Sequence, residues 1–285
     1  MINSMKIHVI FSCTLIINIV MTLKTNTSEK QFTEQSTVND NKAYPYMAAI
    51  LQKTVYLSSG ALIDESWVLT GADSLYTIRE SSRTLRIRLG TVNYKKGGYL
   101  TPIKFFEIHP YFDDSKPQFD VALIKLPHPV IMTPSLNPIK LQKRPRIVAA
   151  MHFTVTSWPT YKQKKVYKHG VYNNMERILT VTYLHPSNEE RCSEELDALV
   201  PDKNKALICL DPGIDSDPCQ RDVGAPVVLN GVLWGIVSSW KSEDCDIEPI
   251  LVTMVSNSNI SSWIHLTIHG KRWRRKYIRN NNNLN

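Results

Sequence analysis

Long apolar runs are almost absent from this 285-residue chain. The exception is Ile7–Leu23, which follows Lys6 and is interrupted by His8 and Asn18. It is short for a membrane span, which needs about 20 residues. A basic residue ahead of an apolar stretch is the form of a secretory signal peptide, expected over residues 1–24, with a retained signal anchor as the alternative reading. No clear small-x-small cleavage pattern follows, and a cut within Met21–Asn26 is expected. Internal repeats with periods of about 20–50 residues are also missing, which excludes solenoids and propellers. Cysteine is scarce, at five. Cys13 would leave with the signal segment, so Cys192, Cys209, Cys219 and Cys245 remain, and four cysteines allow three pairings.

The remaining composition, 42% hydrophobic, suits a folded globular protein. Thr25–Lys42 is polar and has little to bury, so residues 25–42 read as a flexible lead-in. It holds no cysteine, so no disulfide-knotted module is expected ahead of the folded region. From Tyr46 onward, short alternating runs read as strands, among them Tyr46–Leu51, Leu85–Leu89, Val121–Leu126, Ile178–Tyr183 and Leu233–Val237. Pro127–Pro145 is punctuated by proline and reads as a crossing between two halves. Ser258–His269 reads as a terminal helix with Trp263 on its packing face.

Charge is unevenly placed. The chain carries a net +8, and six of those charges sit in Lys271–Arg279 as Lys271, Arg272, Arg274, Arg275, Lys276 and Arg279, with no acid among them. Such a run raises the local potential and favours a polyanion, such as a sulfated glycan or an anionic surface. Lys162, Lys164, Lys165 and Lys168 form a second basic run. His265 and His269 stand four apart, but no third ligand accompanies them, so no metal site and no cofactor is expected. Two sequons, Asn26-Thr27-Ser28 and Asn259-Ile260-Ser261, are candidate glycosylation sites.

Five segments carry more specific information. Asp217–Pro226 reads Asp-Pro-Cys-Gln-Arg-Asp-Val-Gly-Ala-Pro. It resembles the nucleophile loop Asp-Ser-Cys-Gln-Gly-Asp-Ser-Gly-Gly-Pro of trypsin-like serine proteases. Ser59–Ser74 is similar to the segment of that family ending Trp-Val-Leu-Thr-Ala-Ala-His-Cys, and Phe119–Leu126 to its Asn-Asp-Ile-Ala-Leu-Ile-Lys-Leu. Gly235–Trp240 resembles the strand lining the substrate cleft, and Pro249–Ile264 the final turn and helix. The resemblance spans about Tyr44–Ile268. It implies an all-β fold of two antiparallel six-stranded barrels with a C-terminal helix, occupying residues 43–268. Residues 269–285 then form a basic, asparagine-rich tail.

Carried across residue by residue, the resemblance keeps one of three triad members. Asp120 stands at the aspartate, Asp73 at the histidine and Val223 at the serine. Catalysis by such a triad needs a hydroxyl nucleophile and an imidazole that takes its proton. Valine has no oxygen, and an unperturbed aspartate pKa of ~3.9 lies far below the ~6.5 of imidazole. Arg221 occupies the oxyanion glycine, from where it is expected to bridge Asp73 and Asp120. His109 belongs to an Ile-His-Pro-Tyr stretch that the family often carries, and is read as structural.

Phe32–Tyr44 holds no Ile-Val-Gly-Gly to supply the amine that Asp222 would pair with. Asp217 remains from a pocket for arginine or lysine, with Lys241 at its rim. The resemblance also implies the bridges Cys192–Cys209 and Cys219–Cys245. Two further family bridges are lost as couples, one at Ser58 and Ser74, the other at Phe153 and Leu229. The expected function is therefore a secreted, extracellular, inactive homologue. It would bind a protein partner, such as an active protease or its substrate, as cofactor, regulator or decoy, and no nucleic acid is expected. A residual trypsin-like endopeptidase and a heparin-like polyanion binder are the alternatives.

Overall fold

The computed structural model describes residues 35–143, 152–158, 178–187, 206–212, 223–238 and 250–281, all within one compact unit spanning Glu34–Asn285. The strands in chain order are β1 (Gln35–Thr37), β2 (Met47–Gln52), β3 (Val55–Asp64), β4 (Trp67–Thr70), β5 (Leu85–Leu89), β6 (Tyr99–Pro102), β7 (Phe105–Ile108) and β8 (Ala122–Lys125). They continue with β9 (Lys140–Leu141), β10 (Phe153–Ser157), β11 (Thr180–Pro186), β12 (Leu207–Pro212), β13 (Pro226–Leu229), β14 (Val232–Val237) and β15 (Ile250–Met254).

Period-two patterning explains why these segments are strands. In β5, Leu85, Ile87 and Leu89 are buried while Arg86 and Arg88 between them are half-exposed, as a sheet with one packed face requires. The first sheet runs β6-β5-β2-β3-β4-β8-β7. β6 pairs with β5 and β7 with β8, and only Ile103 and Lys104 separate β6 from β7. One bent strand therefore closes this barrel from both sides, which makes six strands out of seven segments. Pro102, which has no N–H to donate, stands at the bend.

In the second sheet β11-β10-β13-β14-β15-β12 closes on itself through the β11–β12 pairing. The expected six-stranded barrel is thus present, with β1 added alongside β11 and β9 in parallel beside β14. The structure is mostly β, with two barrel-like sheets and a C-terminal helix.

A shared core joins the two barrels. Met47, Ala49 and Leu69 from the first pack in one cluster with Trp158, Val181 and Val228 from the second and with Ile260 and Ile264 of the helix. Each such large side chain contributes roughly 1.5–3 kcal/mol on burial. The fully buried Trp158 also donates its indole N–H to the Val92 carbonyl at 2.8 Å. Separate clusters fill each barrel, Leu62, Val68 and Ile124 in the first and Ala225, Val227 and Val252 in the second.

Two expected boundaries move. Within the polar lead-in expected over 25–42, Gln35–Thr37 forms β1 on β11. The cause is Val38, which is buried and donates its N–H to the Leu179 carbonyl at 2.8 Å. At the other end, the helix expected over Ser258–His269 runs Ser258–Asn281. Lysine and arginine are good helix formers, and the run contains no proline to stop it. Asn257 caps this helix, its Oδ1 accepting the Asn259 N–H at 3.0 Å. Among the described residues, no helix is long and apolar enough to cross a membrane.

Candidate functional site

Strand β4 delivers the chain to Gly71 and Ala72, where a short helix, Asp73–Tyr76, begins. Asp120 arrives from the opposite direction, just ahead of β8, and is 2% exposed. Its Oδ1 accepts the N–H groups of Ala72 at 2.6 Å and Asp73 at 2.9 Å. Its Oδ2 accepts the Ser238 hydroxyl at 2.6 Å. A buried carboxylate is costly unless it is hydrogen-bonded, and here both oxygens are served. The two barrels are tied through this one side chain, because Ser238 lies at the end of β14.

Phe119, immediately before, has φ +59°. Asparagine, which the resembling motif has at this place, enters that region far more readily than phenylalanine. The ring is held by stacking on His109 at 4.9 Å and by an edge contact with Tyr111 at 5.7 Å. His109 is itself buried. Its Nδ1 accepts the Tyr111 N–H at 3.2 Å, and its ring meets Trp263 of the C-terminal helix at 4.9 Å. Burial lowers its pKa from the ordinary imidazole value, with the Asn259 backbone partly offsetting this. The structural role read for His109 agrees with this packing.

The loop carrying Val223 reaches into the first barrel. The Val223 carbonyl accepts the Ser59 N–H at 3.1 Å, and the Gly224 N–H donates to Val237 at 2.9 Å. Gly224 has φ +79°, and a β-carbon there would lie 2.2 Å from the Ser59 carbonyl oxygen and 2.4 Å from Thr70 Oγ1. Only glycine fits. The half-buried Val223 has its Cγ1 2.9 Å from where a β-carbon on Gly71 would stand, and the same β-carbon would be 3.5 Å from Asp120 Oδ1. Asp73, Asp120 and Val223 therefore surround one spot, where Asp73 presents its main-chain N–H to Asp120. Chemically the spot offers a carboxylate already engaged by three donors and an isopropyl group with no lone pair.

Several expected residues lie outside the described residues. They are Arg221, Asp222, Asp217, Lys241, Cys192, Cys219, Cys245, Asn26 and the Lys162–Lys168 run. Cys209 is disulfide-bonded, in agreement with a bridge at that cysteine. The lost bridges are legible in the packing. The Ser74 hydroxyl donates to Ser58 Oγ at 3.3 Å, and Phe153 and Leu229 are buried in the same cluster.

Asn259 is exposed near the start of the C-terminal helix. His265 and His269 approach to 4.9 Å between ring centroids. No group of three metal-ligating side chains forms among the described residues. The helix backbone continues through Lys271, Arg272, Arg274, Arg275, Lys276 and Arg279.

Two contributors were not singled out from the sequence. Ser238 lay within the quoted Gly235–Trp240 segment, and Gly71 stood where the resembling motif has alanine.

The chain matches known proteins over most of its length. The family model described as Trypsin matches residues 33–264. A trypsin of Phaedon cochleariae is 28% identical over 197 residues, covering 68% of this chain and 73% of that protein. A trypsin of Sarcophaga bullata is 28% identical over 204 residues, covering 70% and 75%. Duodenase-1 of Bos taurus is 28% identical over 240 residues, covering 81% and 86%. Among solved structures, neuropsin, a serine protease expressed in the limbic system of mouse brain, superposes with a TM-score of 0.65 at 21% identity. It covers 81% of this chain and 98% of that one, a likeness of fold.

Proposed function

The chain belongs to the trypsin family of serine proteases, and on that premise we propose that it is a secreted, non-catalytic member that acts by binding protein. The observation that carries this reading is Val223 packed against Gly71 beside Asp120. The family's chemistry asks for a hydroxyl at that point and an imidazole between it and the aspartate. Here an isopropyl group and Asp73 hold those places, so neither the attacking oxygen nor the proton shuttle is present. The Asp120 carboxylate keeps an architectural task, since it accepts hydrogen bonds from Ala72, Asp73 and Ser238.

Gly224, by contrast, keeps the close approach that the loop needs. A maintained frame without its reacting groups fits a protein that serves as cofactor, regulator or decoy for an extracellular protease or its substrate. The signal-like segment over residues 1–24 and the disulfide at Cys209 support secretion.

The relatives bear the names of proteases, which favours a residual trypsin-like endopeptidase as the second reading. One assay separates the two. Purified protein, with and without limited trypsin treatment, is offered arginyl, aromatic and aliphatic ester substrates and a serine-directed phosphonate. No turnover and no label are expected. Stoichiometric phosphonate labelling would end the non-catalytic reading. Val223→Ser alone is expected to remain inactive, because Asp73 supplies no proton shuttle.

A further inference from the structure

A group of exposed apolar side chains lies away from the triad positions. Ile131, Met132, Leu100 and Tyr99 are 86, 51, 47 and 43% exposed. Tyr99 and Ile131 border a groove of about 350 Å³ whose floor includes Leu89, Val130 and Leu136. Single exposed apolar residues are ordinary, but a cluster beside a concave surface marks an interaction site. The strand bounding the groove, β6, pairs with β5 alone among the described strands. Among the described residues no strand pairs with its other edge, where an extended segment can add main-chain hydrogen bonds.

Charge identifies what such a segment carries. The groove is lined from two stretches, Leu89–Tyr99 and Pro129–Leu136, and the wider segments that carry them, 85–105 and 126–143, contain Arg86, Arg88, Lys95, Lys96, Lys104, Lys140 and Lys143 and no Asp or Glu. Lys95 and Lys96 are exposed on the turn between Gly90 and Gly98, both of which line the groove, and Lys95 Nζ donates to the Thr54 carbonyl at 2.8 Å. That turn is held in shape, because Arg88 donates to the Gly97 carbonyl and Thr91 Oγ1 to the Lys96 carbonyl at 3.0 Å. None of these cations makes an ion pair among the described residues, where the ion pair seen is Lys116–Asp113. Glu65 adjoins the groove, its carbonyl accepting the Val130 N–H at 2.8 Å, and is outnumbered.

From these three features we infer that the groove docks an extended, acidic segment of a partner protein in which apolar side chains alternate with carboxylates. Alternation follows from strand geometry: apolar side chains enter the groove while carboxylates face Lys95 and Lys96. The inference rests on the reading that the protein acts by binding, and names the surface that does it.

The test uses the full mature chain and a fluorescein-labelled peptide alternating glutamate with leucine and phenylalanine. Controls replace every glutamate by lysine, or every apolar residue by serine. The parent peptide is expected to bind at least about tenfold tighter than either control, a difference near 1.4 kcal/mol. Lys95→Glu with Lys96→Glu, and separately Ile131→Ser with Met132→Ser, are each expected to weaken it by a similar factor without lowering Tm. Both pairs are exposed, and Lys96→Glu alone, which leaves the Lys95 hydrogen bond to the Thr54 carbonyl in place, keeps the test readable if either double variant loses stability.

Equal binding of the parent and lysine peptides would overturn the proposal, as would full binding by both variants. Self-association of the wild-type chain that Ile131→Ser with Met132→Ser abolishes would also overturn it, assigning the face to a second copy. None of these outcomes touches the non-catalytic reading, which the phosphonate assay decides separately.

Discussion

Gly71 and Val223 fit each other: a β-carbon on Gly71 would stand 2.9 Å from Val223 Cγ1, closer than ordinary side chains approach. The resembling family segment carries alanine where this chain has Gly71, and serine where it has Val223. The larger side chain on one barrel thus meets the smaller one on the other. Gly71→Ala is expected to destabilise the protein by about 1–3 kcal/mol through overpacking. With Val223→Ser already in place, the same change is expected to be neutral or to stabilise by about 0.4–1 kcal/mol, because Gly71 has no positive φ and alanine lowers unfolded-state entropy. A double-mutant cycle by urea denaturation measures the coupling, and strictly additive effects would contradict the contact.

The Ser58–Ser74 pair offers a second test. Their hydroxyls lie 3.3 Å apart, and Ser58 is fully buried. Replacing both, Ser58→Cys with Ser74→Cys, is expected to form a disulfide under oxidising conditions. Closing a loop of this length contributes about 3 kcal/mol in the chain-entropy model. The check is a rise in Tm that a reductant reverses. Free thiols after oxidation would show that the two β-carbons diverge.

His109 makes stability depend on pH. Burial among Phe119, Tyr111 and Trp263 holds its folded pKa below the unfolded value of 6.5. Below about pH 6.5 the unfolded chain takes up a proton that the folded protein resists. The stability from the neutral ring is thus complete above that pH and is lost as pH falls toward the folded pKa. His109→Phe keeps the stacking and removes the titration. The variant is expected to lose less stability than wild type between about pH 7.5 and about pH 5. Parallel losses would place the acid sensitivity elsewhere.

What could be read from the sequence follows from how far each signal extends along the chain. Alternating burial in β5 and the motif around Asp120 are local, so the barrels and the aspartate were legible. The closure of the first barrel depends on a bend at Pro102 between two half-strands, and no single segment encodes it. Arg221, expected to bridge Asp73 and Asp120, lies outside the described residues, while donors remote in sequence serve the Asp120 carboxylate. Ser238 is 118 residues away, and the Ala72 and Asp73 amides carry no side-chain signature. The lead-in was misjudged by averaging. Its composition is polar, yet one residue, Val38, is enough to dock β1.

The C-terminal helix gives the last prediction. Its backbone continues from the packed turns at Ile260 and Ile264 through Arg279. At 1.5 Å per residue, the run Lys271–Arg279 spans about 12 Å and carries six cations with no acid among them. Dense charge on a regular rod attracts polyanions more strongly than the same charge spread over a coil, and salt screens that attraction over about 8 Å. Truncation after Gly270 removes the cations and leaves Ile260, Trp263 and Ile264 in place, so the fold is expected to keep its Tm. The shortened protein is expected to leave a heparin column at clearly lower salt than the full chain. Elution at the same salt would move polyanion binding to another surface, with the exposed Lys95–Lys96 turn as the next site to reverse in charge.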